Sequence, residues 1–122
     1  MLALLDLGVD NLLAYRLDGD VDAADVDRIF KAVDEKLSRH ERLRVYAEVH
    51  QLSAVTPQAL WRDLELSATR LSVLSRTERV ALVTDLQWLR QALTLPNPLL
   101  SGIQLRVFSL SEQHLAQSWI RE

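Results

Sequence analysis

Leu43–Leu64, reading LRVYAEVHQLSAVTPQALWRDL, restricts the fold more than any other stretch of the chain. Val45, Ala47 and Val49 alternate with Tyr46, Glu48 and His50, the period-two pattern of a strand with two distinct faces. A short turn follows, and Thr56-Pro57 opens a helix. Proline suits the first helical position because its missing N–H has no partner there in any case. Leu60, Leu64, Ala68, Leu71 and Leu74 give that helix, from about Pro57 to Leu74, one apolar stripe. In an open α/β sheet, ligands and modifications gather at such strand-to-helix junctions.

The remaining pattern repeats this alternation. Leu2–Leu7 and Leu12–Leu17 are apolar runs joined by the turn formers Gly8-Val9-Asp10-Asn11, which predicts a β-hairpin. Asp22 is a helix cap, with Asp25 and Asp27 in the first turn, where carboxylates meet the positive end of the helix dipole. Val26, Ile29, Phe30, Val33 and Leu37 fall on one face of that helix. Asp27–Lys31 and Glu35–Arg39 are acid-to-base pairs four residues apart on its surface. Arg79–Thr84 centres on Val80-Ala81-Leu82-Val83, a continuous apolar run that suits a strand buried on both sides, as in a parallel sheet. Asp85 is placed to cap a third helix with Leu86, Leu89 and Leu93 inward. The prolines of Leu95-Pro96-Asn97-Pro98 end it. Ile103–Leu110 is the last strand, and Ser111 is placed to cap a final helix with Leu115, Ala116, Trp119 and Ile120 facing in. The order ββαβαβαβα predicts an α/β fold: a mixed, mostly parallel five-stranded sheet with about four helices.

Size and composition exclude several classes. The 122 residues suit one domain, 1–122. Net charge is −3, and no basic run is present, which argues against nucleic acid as a partner. The chain has no cysteine, so disulfides, thiolate metal sites and cysteine nucleophiles are excluded. Met1–Asp6 lacks a basic n-region, so no signal peptide is expected, and no apolar run approaches the roughly 20 residues of a membrane span. The expectation is a cytoplasmic protein. No pair of histidines has metal-ligand spacing; His40 and His114 read as isolated, and neither metal nor other cofactor is expected.

Four segments resemble one known family. Tyr46-Ala47-Glu48 is similar to its apolar-acidic strand centre. Ala59-Leu60-Trp61-Arg62-Asp63-Leu64 resembles its A-x-W-x-D-L helix opening. Arg79–Asp85 with Trp88 resembles its R-V-A-V-V-x-D-x-x-W step, and Arg106-Val107-Phe108 followed by Ala116 and Trp119 is similar to its ending. In this order they resemble the SpoIIAA-like proteins, the STAS fold of anti-sigma-factor antagonists, in the STAS/SEC14-like variant. The resemblance covers nearly the whole chain. It implies a single STAS-like domain acting as a non-enzymatic regulatory or protein-interaction module. STAS antagonists carry a phosphorylatable serine at the start of the second helix, commonly after aspartate and before glycine. Here the turn reads Gln51-Leu52-Ser53-Ala54-Val55-Thr56, without that aspartate or glycine and without the variant's Phe-x-Gly turn. Ser53 is the nearest counterpart and Thr56 the next.

The candidate residues collect at the C-terminal edge of the sheet: Ser53, Thr56, Trp61, Asp85 and Trp88, with Thr84, Ser109 and Ser111. Helix N-termini there favour an anion or a phosphate, although capping is the commonest role of Thr56, Asp85 and Ser111. Phosphorylation of Ser53 would set negative charge against a helix start. Trp61 and Trp88, both in first turns, suggest a pocket walled by indoles or simple packing. The alternative function is binding of a small lipophilic or anionic ligand at that edge. A weaker alternative is a hydrolase using Glu48 and His50, two apart on one strand face and roughly 6–7 Å apart at Cβ; an ordinary ion pair explains the same spacing. The apolar loop Leu95–Leu100 reads as a lid over the core or as an interface, with a homodimer among the possible partners.

Overall fold

A computed structural model describes residues 2–19, 23–52, 75–94 and 102–122. The chain enters as β1 (Leu2–Leu5) and returns as β2 (Leu12–Gly19). Helix α1 (Ala23–Arg39) leads to β3 (Leu43–Leu52). Then come β4 (Thr77–Thr84), α2 (Gln87–Thr94) and β5 (Gln104–Phe108). A 3-10 turn (Leu110–Glu112) runs into α3 (Gln113–Arg121). The helix expected over 57–74 and the loop 95–100 lie outside the described residues, as does the expected Asp22 cap.

The five strands lie side by side in chain order, β1 to β5. β1 pairs antiparallel with β2, and every later pair is parallel. The expected mixed, mostly parallel sheet is what forms. Strand limits differ from expectation: β1 stops at Leu5 rather than Leu7, because Asp6 Oδ1 accepts the Gly8 N–H at 2.9 Å and turns the chain early. Gly8 takes φ +81° there, a left-handed conformation that costs glycine little. β5 is shorter than Ile103–Leu110, since Leu110 already belongs to the 3-10 turn.

A sheet whose parallel strands advance in one direction, with right-handed crossovers, sends its crossover helices to one face. α1 and α2 obey this. Ile29 and Val33 of α1, with Leu86 and Leu89 at α2, pack against Leu13, Leu17, Ala47, Val49 and Leu82. The opposite face is left for α3. Its Ala116 and Ile120 are buried against Leu12, Ala14, Tyr46, Ala81 and Val83. Full burial of a side chain the size of Ile120 contributes about 1.5–3 kcal/mol. Leu115, expected inward, is 61% exposed, because the stripe of so short a helix narrows to Ala116, Trp119 and Ile120.

Arginines fix the far end of α3. Arg44 Nη1 donates to Ile120 O at 3.0 Å and Arg79 Nη1 to Trp119 O at 3.1 Å, placing positive charge on the helix C-terminus. Arg79 and Arg106 both lie over the Trp119 ring, 5.2 and 5.1 Å from its centroid. Arg76 does the same for α1, donating to the carbonyls of Leu37, His40 and Glu41 at 2.8, 2.8 and 3.0 Å.

Candidate functional site

The nine residues of α3 extend about 14 Å. Five strands span about 19 Å. The helix contacts β4 and β3 above all, so among the described residues it covers only part of that sheet face. Across that face one register row runs Ala3, Arg16, Glu48, Val83, Phe108 from β1 to β5. At its centre Glu48 is 1% exposed.

A buried carboxylate is costly unless it is hydrogen-bonded and paired. Glu48 is both. Arg16 Nε donates to Oε2 at 2.6 Å, and His50 Nε2 lies 2.8 Å from the same oxygen. The Tyr46 hydroxyl donates to Oε1 at 2.9 Å, and Gln117 of α3 reaches the Tyr46 oxygen at 3.5 Å. Burial raises the Glu48 carboxyl, but the bonds from His50, Arg16 and Tyr46 outweigh it and leave the group below its ordinary value. Burial, helped by the bond to Glu48, pushes the Tyr46 phenol up to about 12. The result is a fixed negative charge at neutral pH. Its guanidinium and imidazole neighbours reach solvent: the side chains of Arg16 and His50 are 48% and 32% exposed.

Glu48 and His50, paired from spacing alone, are therefore in direct contact. Arg16, Tyr46 and Gln117 complete the cluster. Tyr46 shared their strand face in the sequence pattern. Arg16 left a fainter trace: it is a charge on the face of β2 that Leu12 and Ala14 commit to the core.

The C-terminal edge is arranged differently from the sequence reading. Asp85 does not cap α2. Thr84, fully buried, accepts the Leu86 N–H through Oγ1 at 3.1 Å, while Asp85 Oδ1 accepts the Leu110 N–H at 3.1 Å and ties the β4 exit to the β5 exit. Arg90 Nη1 closes the same corner on Thr84 O at 3.0 Å. Ser111 does not cap the last helix either. It lies inside the 3-10 turn, and Ser109 opens the unit, its N–H and Oγ bonded to Glu112 Oε1 at 2.9 and 3.0 Å. Trp88 is partly buried in the first turn of α2. Ser53, Thr56 and Trp61 lie outside the described residues, and so does the pocket expected between Trp61 and Trp88.

His40 is not isolated. Its Nε2 meets Asp10 Oδ2 at 2.6 Å, and Lys36 donates to Asp10 O at 2.9 Å, tying the β1–β2 turn to the end of α1. The His40 bond, then the Arg39 charge, hold the Asp10 carboxyl below its ordinary value. Among the described residues no group of three or more His, Asp or Glu side chains is arranged to hold a metal ion, and no helix is long and apolar enough to cross a membrane.

A mixed five-stranded α/β sheet with crossover helices on one face and a short C-terminal helix on the other defines a STAS-like module. The SpoIIAA-like family model matches residues 12–121, and the chain belongs to that family. No curated protein and no solved structure matches the chain.

Proposed function

We propose that the chain is a STAS-type regulatory or protein-interaction module that works without catalysis. Family membership supports an interaction role. The observation that weighs most against hydrolysis is the state of Glu48. All three of its described partners stabilise the ionised form, and a carboxylate held below its usual range is a weak base at neutral pH. The regulated edge in this reading is the C-terminal one, where the β3 exit leads toward Ser53 and where Asp85 and Trp88 lie. A phosphoryl group on Ser53 is the switch.

The test has two arms. Turnover on ester and phosphate-ester substrates is measured for the wild type and Glu48→Gln; activity that disappears with the substitution establishes the hydrolase instead. Cross-linking with mass spectrometry then identifies the bound protein and the edge it touches. Ser53→Asp weakens that complex while Ser53→Ala preserves it; equal capture by both removes the switch. A small lipophilic or anionic ligand beside the partly buried Trp88 is the second reading. Native mass spectrometry of freshly purified protein reports such a ligand, and a homodimer, directly.

A further inference from the structure

We propose that Arg16 and His50 form a binding site for a carboxylate-bearing ligand, armed by protonation of His50. The site lies on the α3 face of the sheet and does not depend on Ser53.

Geometry carries the inference. Arg16 and His50 direct one nitrogen each to a single oxygen, Glu48 Oε2, at 2.6 and 2.8 Å. The shared oxygen holds the guanidinium and the imidazole side by side. Glu48 is buried, whereas Arg16 is half-exposed and His50 partly exposed. Arg16 uses Nε inward, so the edge formed by Nη1 and Nη2 remains on a half-exposed side chain. That edge matches the two oxygens of a carboxylate. The row neighbour of Arg16 on β1 is Ala3, whose methyl group is small beside a guanidinium.

The imidazole supplies the switch. With Nε2–H donated to Glu48, Nδ1 of a neutral ring is only an acceptor and repels an anion. Protonation turns Nδ1 into a second donor beside the Arg16 fork. Charge then selects the ligand. Arg16 and Glu48 cancel, so protonation of His50 leaves the trio it forms with them one positive charge, with Asp18 the next carboxylate along β2. A carboxylate monoanion balances that charge and presents two oxygens to the Arg16 fork.

Among the described residues, charged groups lie beside His50 on both flanking strands: β4, whose Thr84 pairs with Val49, adds Asp85 at the next position, its Oδ1 held by the Leu110 N–H. β2 contributes Arg16 and, two residues further, Asp18. β3 contributes Glu48 and the neutral phenol of Tyr46. α3 contributes Gln117, bonded to Tyr46, and exposed His114 one turn earlier.

Acetate is the probe, titrated at constant ionic strength against a chloride control, with the backbone amide resonances of β2 and β3 followed by NMR in every variant and the His50 ring resonances in those that keep it. A saturable shift is expected at about pH 5.5, weakened at least about tenfold at about pH 8. Arg16→Met abolishes it. That variant leaves Glu48 one donor short and risks unfolding, so His50→Gln is the second arm. It keeps a neutral donor and leaves acetate binding weak and independent of pH. The proposal is overturned by either of two results: no saturable shift at the lower pH, or acetate binding unchanged in folded Arg16→Met.

Discussion

Arg16 and Glu48 stand opposite each other in the parallel register of β2 and β3, and the guanidinium Nε donates to Glu48 Oε2 at 2.6 Å. The pair is 32 residues apart in sequence, and adjacent strands bring it together. Because Glu48 is buried and Arg16 is not, the two ends of the bond differ in what they lose when it breaks.

Removing the carboxylate therefore costs mainly at the buried end. Glu48→Gln keeps the shape and loses the charge, and a destabilisation of about 1–3 kcal/mol is expected. Glu48→Ala also leaves the buried Tyr46 hydroxyl without its acceptor, and about 3–5 kcal/mol is expected. Urea unfolding at neutral pH gives both values; equal costs for the two variants contradict the extra cost assigned to the Tyr46 hydroxyl.

Acid should erase part of that difference. The folded Glu48 carboxyl lies below its ordinary value of 4.5, so its ionisation favours the folded state at any pH above about 4.5. This contribution is lost as pH falls through the lower folded value. The gap between wild type and Glu48→Gln should narrow over that window, read from urea midpoints at successive pH values. A gap that widens on acidification reverses the sign and refutes the assignment.

Alkali acts through the tyrosines. Burial pushes the Tyr15 and Tyr46 phenols up to about 12 each, above their ordinary 10.0. Between these values the unfolded phenol has lost its proton and the folded one has not, so stability falls as pH rises. The slope for Tyr46 is up to about 1.4 kcal/mol per pH unit. Tyr46→Phe should flatten the decline above about pH 10, followed by thermal melts.

Arg76 joins α1 to the start of β4 by donating to three carbonyls at the C-terminal end of that helix. Arg76→Ala removes a cation from the negative end of a helix dipole and leaves part-buried carbonyls unpaired. A loss of about 1–3 kcal/mol is expected, with faster amide exchange in the last turn of α1.

Gly8 tests the hairpin turn. A Cβ there meets nothing within 4 Å, so the only penalty for Gly8→Ala is the left-handed backbone at φ +81°. About 1 kcal/mol is expected from calorimetry, with the sheet otherwise unchanged. A neutral substitution means the turn relaxes to another conformation.

Period and turn chemistry alone made α1, the β1–β2 hairpin, the buried runs of β3 and β4 and the parallel character of the sheet legible, because each depends on residues close in sequence. The same local information placed Glu48 and His50 on one strand face. It misassigned Asp85 and Ser111, since any aspartate or serine before a helix resembles a cap. Thr84 and Ser109 compete through bonds only two and three residues away, while the Leu110 N–H that captures Asp85 comes within reach only once β4 and β5 end side by side. Arg16 was hidden for a related reason. A lone charge at the end of β2 looks like a solvated strand terminus until the register sets it against Glu48. What the sequence by itself determined is the set of elements and the alternation of their faces. Tertiary structure decided where α3 lies on the sheet, and that a buried carboxylate holds a half-exposed guanidinium and a partly exposed imidazole beside it, because register and helix placement are non-local.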